Sequence, residues 1–265
     1  MTSRQSTEVL VPLYNESAII GRVHGAFVRF AAAHPHWQIT FIDDGSTDDT
    51  VKILRESLRG NDAQGAMRLI AAARNVGKAD AIALGIAQSS AQKVLFIDGD
   101  LAYALDHLDT LDRALDRAPI VIGSRAVAGG VKSRRLLRGL SGGSYNLLMR
   151  LVLGLPYRDT QAGLKGFRGD AAKALFARRR QRGFGFDAEL LFIAKKLKLA
   201  VVEVPAAVSA DHAALGTNVR IVRDSIGMFL GLIQIRIDAL RGLYRTQPIT
   251  TLDRLRNDQT HLPTP

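Results

Sequence analysis

The chain has 265 residues, 47% of them hydrophobic, which suffices for one large α/β domain or two small ones, with a substantial core. It has no cysteine, so a disulfide framework and a thiolate metal site are excluded, and any bound metal must take oxygen or nitrogen ligands. The net charge of +11 is localised: Val121 to Arg182 holds fourteen Lys and Arg against two acids, Asp159 and Asp170. Such a region suits a polyanionic partner, whether a phospholipid surface, a lipid phosphate or a nucleic acid, and is otherwise an ordinary solvated surface.

Glu8 to Leu13 predicts a short buried strand, and Glu16 to Ala33 a helix with Ile19, Ile20, Val23, Phe27 and Phe30 at helical spacing. Trp37 to Ile42 predicts a second strand. Asp48 to Leu58 predicts a helix, with Ser46 and Thr47 as candidate caps. Met67 to Ala71 and Lys93 to Ile97 read as strands, followed by helices over Lys78 to Gln88 and Leu105 to Leu115, and Pro119 to Ile122 as a fifth strand. Alternation of this kind predicts a mostly parallel sheet with helices on both faces. Beyond Arg125 the pattern changes. Leu136 to Leu153 and Val219 to Tyr244 predict helices with arginines beside an apolar stripe, Asp159 to Phe167 loop and strand, Phe186 to Leu197 a helix, and Ala200 to Val204 a strand. A domain over residues 1–217, an amphipathic helix over 218–246 and a polar tail over 247–265 are the expected divisions.

Ligands of parallel α/β sheets bind beyond the carboxyl ends of the strands. That rule selects Pro12 to Glu16, Asp43 to Ser46, Arg74 to Lys78, Asp98 to Asp100 and Gly123 to Arg125 as one rim. Asp98 and Asp100 flank Gly99. In an extended strand their carboxylates would face one point, and the glycine would let a ligand approach. Two hard oxygen donors beside a diphosphate suit Mg²⁺ or Mn²⁺; a solvated turn is the bland alternative. Asp43 and Asp44 could accept hydrogen bonds from a base or ribose, or cap the following helix. Lys78, at a helix start, and Arg125 could each face phosphate.

The segments Val11-Pro12-Leu13-Tyr14-Asn15-Glu16, Asp43 to Thr50, Arg74 to Lys78 and Asp98-Gly99-Asp100, in this order, resemble inverting nucleotide-sugar transferases of family 2 with the GT-A fold. Gly123-Ser124-Arg125, Asp159 to Lys165 and Phe184 to Leu190 resemble a narrower group, the dolichyl- or polyprenyl-phosphate glucosyl- and mannosyltransferases. The resemblance implies a UDP-glucose or GDP-mannose type of donor and a lipid-phosphate acceptor. It places Pro12, Tyr14, Glu16, Ile42, Asp43, Asp44, Lys78 and Gly99 with Asp98 and Asp100 around the nucleotide sugar. It places Mg²⁺ or Mn²⁺ on Asp98 and Asp100, and Arg125, Arg138, Lys165 and Arg220 at the acceptor phosphate. Ala102 stands where some members carry a metal-binding glutamine, which leaves the metal two protein ligands.

An acceptor phosphate is already an anion and needs no strong base; a hydroxyl acceptor would need one, with Asp159 or Asp187 as candidates. The alternatives are a transferase acting on a soluble or polysaccharide hydroxyl and a basic nucleic-acid-binding module, which the acidic rim opposes. No Gly-x-Gly-x-x-Gly follows the first strand, which opposes a dehydrogenase. Met1 to Glu8 is polar and predicts no secretory signal, and the apolar stretch Ile226 to Ile233 is far short of the roughly 20 residues a spanning helix needs. The expectation is a cytoplasmic protein, peripheral at an anionic membrane surface, with homo-oligomerisation left open.

Overall fold

The structure, a computed structural model, describes residues 7–59, 66–128, 142–183, 185–209 and 221–245. Seven strands form one sheet: β1 (Thr7–Leu13), β2 (Trp37–Asp43), β3 (Met67–Ala71), β4 (Lys93–Ile97), β5 (Ile120–Ser124), β6 (Leu164–Arg168) and β7 (Val201–Pro205). Their order across the sheet is β3-β2-β1-β4-β6-β5-β7. Every neighbouring pair is parallel except those of β6, which runs antiparallel to both β4 and β5. The helices are α1 (Ile20–Ala33), α2 (Thr50–Arg59), α3 (Lys78–Gln88), α4 (Asp106–Leu115), α5 (Gly142–Leu153), α6 (Gly169–Phe176), α7 (Phe186–Lys196) and α8 (Ile221–Leu240).

Successive strand residues point to opposite faces, and β1 shows the consequence. Val9, Val11 and Leu13 join Ile20, Val23 and Phe27 of α1, Leu54 of α2 and Leu108 and Leu111 of α4 on one face. Leu10 turns to the other face, where Ile42, Phe96 and Phe167 meet Ile82 and Ile86 of α3, Leu175 of α6, Leu190 of α7 and Leu232 and Ile235 of α8. Each such fully buried side chain contributes about 1.5–3 kcal/mol. Both faces being covered explains why the strands are apolar runs rather than alternating ones.

Local chemistry moves several element ends from their expected places. Helix α1 starts at Ile20 because Glu16 first closes a turn, its carbonyl accepting from the Ile19 and Ile20 amides at 2.9 Å each. Helix α2 starts at Thr50, not Asp48, and Asp48 is its cap: Oδ1 accepts from the Thr50 amide at 3.0 Å and hydroxyl at 2.5 Å. Ser46 and Thr47 do not cap it. Ser46 donates to Asp43, and the Thr47 amide donates to Asn15 Oδ1 at 2.8 Å. Helix α6, directly after β6, is not among the elements expected from the sequence. The expected helix from Leu136 is described only from Gly142, and Arg138 and Arg220 lie outside the described residues. No helix among the described residues is long and apolar enough to cross a membrane.

Candidate active site

The carboxyl ends of β1, β2, β4 and β5 open on one edge of the sheet, and antiparallel β6 delivers its amino end to the same edge. Ile97 pairs with Leu164, so the residues just beyond, Asp98 and Gly163, are neighbours. The Asp98 amide donates to the Gly163 carbonyl at 3.2 Å. A Cβ at Gly163 would overlap the Asp98 carboxylate, Oδ2 being the atom nearest to it. Only glycine leaves room for that acid here.

Asp98-Gly99-Asp100 is a turn, not a continuation of the strand. β4 ends at Ile97, the Leu101 amide donates to the Asp98 carbonyl at 3.3 Å, and Leu101 has φ 56°. Asp100 Oδ1 accepts from the Ala102 amide at 2.9 Å. The glycine has a packing role as well. A Cβ on Gly99 would lie 2.8 Å from the Pro12 carbonyl oxygen and strike Leu13, so the residue permits close packing against β1. Lys78, the first residue of α3, pairs with Asp98 Oδ1 and lies 5.9 Å from the centre of the Phe96 ring. Burial opposes its charge, but Asp98, then Asp187 and Asp100, hold its pKa above the usual lysine value. Glu16 sits by the same turn, its pKa raised by burial and then by Asp100 and Asp48.

On the β2 side the two aspartates are buried and organise loops. Asp43 accepts from the Ser46 amide at 3.0 Å and hydroxyl at 2.5 Å. Asp44 accepts from the Val76 amide at 2.7 Å and the Gly77 amide at 2.9 Å, which fixes the loop that launches α3. Pro12 is the penultimate residue of β1, and Tyr14 stands exposed just beyond it. Ile42 is fully buried, and its side chain packs in the core against α3 rather than lining the rim.

On the β5 side Arg125 forms a two-pronged pair with Asp159, Nε at 2.7 Å from Oδ2 and a terminal nitrogen at 2.8 Å from Oδ1. The Arg125 amide adds a third bond to Asp159 at 3.0 Å. The guanidinium pKa is raised, first by the Asp159 hydrogen bonds, against burial. Lys165 is not a surface phosphate ligand. It is fully buried, and its ammonium donates to Asp187 Oδ1 and to the Ala162 carbonyl, each at 2.5 Å. Asp187 is therefore committed to a cation as well. Tyr103, which is not among the expected site residues, is buried between these groups. Burial chiefly raises its pKa, Arg125 opposes that, and Asp159 and Asp98 add to it. Its place three residues past Asp100 was the available signal.

These positions give the rim two halves, an acidic turn paired with Lys78 and an arginine–aspartate fork. The donor set fits a divalent cation: Asp98 and Asp100 are hard oxygen donors at the mouth of the sheet, and a diphosphate and water can complete the shell. No group of three or more His, Asp or Glu able to hold a metal occurs among the described residues.

Residues 8–176 match the profile of glycosyl transferase family 2. Dolichyl-phosphate beta-glucosyltransferase ALG5C of Trichomonas vaginalis is 30% identical over 252 residues, covering 90% of this chain and 73% of its own. The dolichyl-phosphate beta-glucosyltransferase of Saccharomyces cerevisiae is 28% identical over 258 residues, 89% and 76% of the two chains. Among solved structures, a Pyrobaculum calidifontis mannosyltransferase in complex with GDP-Man and Mn²⁺ superposes with a TM-score of 0.61 at 17% identity, covering 98% of this chain and 70% of its own. The Mycobacterium tuberculosis glucosyl-3-phosphoglycerate synthase, in complex with Mn²⁺, UDP and phosphoglyceric acid, gives 0.58 at 18% identity, with 88% and 78% covered. With a profile match over most of its length and the sheet order and rim described above, the chain belongs to glycosyl transferase family 2 and is a glycosyltransferase of the GT-A fold.

Proposed function

We propose that this enzyme transfers a sugar, with inversion, from a nucleotide-sugar donor (glucose from a UDP-glucose type of donor, or mannose from a GDP-mannose type) to a dolichyl- or polyprenyl-phosphate, and that the sugar is glucose. The names of the relatives support the sugar and the acceptor. The observation that carries the acceptor class is the state of the acids. Asp159 and Asp187, the two candidates for a general base, are each tied to a cation, Arg125 and Lys165. Burial opposes ionisation of Asp159, but the Arg125 hydrogen bonds outweigh it and depress its pKa. A depressed, paired carboxylate is a poor base for a hydroxyl, whereas a phosphate monoester attacks without one.

In this reading Asp98 and Asp100 hold Mg²⁺ or Mn²⁺, which when bound stabilises charge on the departing diphosphate. Lys78 and the start of α3 add positive potential on that side. Pro12, Tyr14 and Glu16 border the nucleoside, with Asp43 and Asp44 fixing the loops around it. Arg125, held rigid by Asp159, presents its charge to the acceptor phosphate, so that most of the acceleration comes from positioning and electrostatics.

A lipid acceptor requires contact with a bilayer, and α5 and α8 supply a face for it. Arg236 of α8 donates to the Val152 carbonyl of α5 at 2.6 Å, joining the two helices. Leu147 and Leu151 on α5 and Phe229, Leu230, Ile233 and Leu240 on α8 are exposed, Leu151 by 70% and Leu240 by 88%. Apolar groups beside arginines suit an anionic interface. The test is incubation with labelled UDP-glucose or GDP-mannose, Mg²⁺ or Mn²⁺ and a polyprenyl phosphate. Lipid-extractable label is expected; donor hydrolysis alone would point to a hydroxyl acceptor.

A further inference from the structure

Asp98 has two carboxylate oxygens, and the structure disposes of them differently. Oδ2 is pressed towards Gly163, where even a methyl group would collide with it. Oδ1 lies farther from that position, and the Lys78 ammonium pairs with it. Lys78 also lies within the field of Asp187 and Asp100. Asp187 has its own buried partner in Lys165, so Lys78 is not needed to neutralise it.

We propose that Lys78 is a resident counter-cation of Asp98 that competes with the divalent ion for Oδ1 and, once displaced, directs its charge to the donor diphosphate. A carboxylate pair without a cation repels itself, and Glu16 beside it adds a third negative charge. Lys78 relieves that repulsion before ligands arrive. When a divalent ion takes Oδ1, the ammonium is expelled by like charge. It stays at the amino end of α3, where a diphosphate would also meet backbone amides. The site is thereby biased towards taking metal and nucleotide together, because metal alone must displace the lysine. The proposal rests on the reading of Asp98 and Asp100 as metal-binding.

Binding of Mn²⁺ alone, followed by the loss of the free-ion electron paramagnetic resonance signal, tests it without any sugar transfer. Lys78→Gln removes the competitor and should bind Mn²⁺ roughly 3- to 10-fold more tightly than the native chain, a range set by the part-exposed pair. Binding of UDP with EDTA present should weaken about tenfold in the same variant, through loss of a charge-assisted contact. Lys78→Arg keeps the charge and should bind Mn²⁺ much as the native chain does. Equal or weaker Mn²⁺ binding by a folded Lys78→Gln, or tightening by Lys78→Arg as well, overturns the proposal, as does failure of either form to take up Mn²⁺. Lipid-linked product is not read in this experiment, so failure of the acceptor assignment and failure of the lysine exchange are separate results.

Discussion

Asp98 depends on a residue sixty-five positions later. Gly163 leaves the space that its carboxylate fills, and Gly163→Ala should push the acid out of place. A displacement of about 1 Å in a catalytic group can cost roughly 100-fold. The expected outcome is a fall in kcat of that order with little change in melting temperature, checked by steady-state rates and a thermal melt. Asp100→Ala should go further and abolish metal-dependent turnover; full activity in that variant would remove the turn from the site. Arg125 differs from both because its fork is structural as well as electrostatic. It spans from the end of β5 to buried Asp159 in the segment before β6. Arg125→Ala would leave that buried carboxylate its bond from the residue-125 amide but not the guanidinium, and should lower the unfolding free energy by about 2–3 kcal/mol, allowing for the arginine's partial exposure. Urea denaturation measures it, and Arg125→Lys should lose less.

Helix α7 carries a second buried acid, Glu189, which ties elements together away from the rim. It accepts from the Arg180 amide at 3.0 Å, the Gln181 amide at 2.8 Å and the Tyr244 hydroxyl at 2.8 Å. The 179–182 loop so held also reaches α3, where Arg179 and Arg182 pair with Asp80 in its first turn. One carboxylate thus joins the end of the α8 region to the loop beside the start of α3. Burial raises the Glu189 pKa above the usual 4.5, and the hydrogen bonds from Gln181, Tyr244 and Arg180 pull against it. A carboxyl group whose folded pKa is raised favours the folded state most when protonated. Its contribution is fully present below the unfolded value and is lost as pH rises through the folded one. Compared with Glu189→Gln, the native chain should therefore lose relative stability as pH climbs from about 4 to neutrality, whatever the variant's constant cost. Melts of both proteins across that range check the sign; a gap that is flat, or that moves the other way, contradicts it.

At the scale of the whole molecule, the catalytic rim and the exposed α5–α8 face must both be used if the acceptor is lipid-bound. Flotation with anionic vesicles should show binding that weakens with salt, since interfacial attraction to arginine is screened. Replacing Leu151 and Leu230 together by glutamate should abolish flotation, lower transfer to a long-chain polyprenyl phosphate and leave Mn²⁺ binding unchanged. A variant that still floats would move the contact elsewhere.

The sequence by itself determined the strand–helix alternation, the rim residues and the family. Apolar strands, helical spacing and motif order are local properties, and β1 to β5 fall close to their expected ranges because each is a short buried run. The place of Asp98 to Asp100 at the end of β4, the Arg125 position and the Lys78 helix start were legible for the same reason, but not that Asp98 to Asp100 turns instead of extending the strand. What the tertiary structure decided was pairing over distance. Nothing local in Lys165 shows that it is buried against Asp187, or in Ile42 that its side chain faces α3 rather than a ligand. Reversal of β6 is the physical cause of much of this. An antiparallel strand set between β4 and β5 carries Asp159, Ala162 and Gly163 to the carboxyl edge of its neighbours, and so gives Arg125 its fork and Asp98 its space. Direction of a strand is set by its partners' hydrogen bonds, not by its own five residues, so no reading along the chain could supply it.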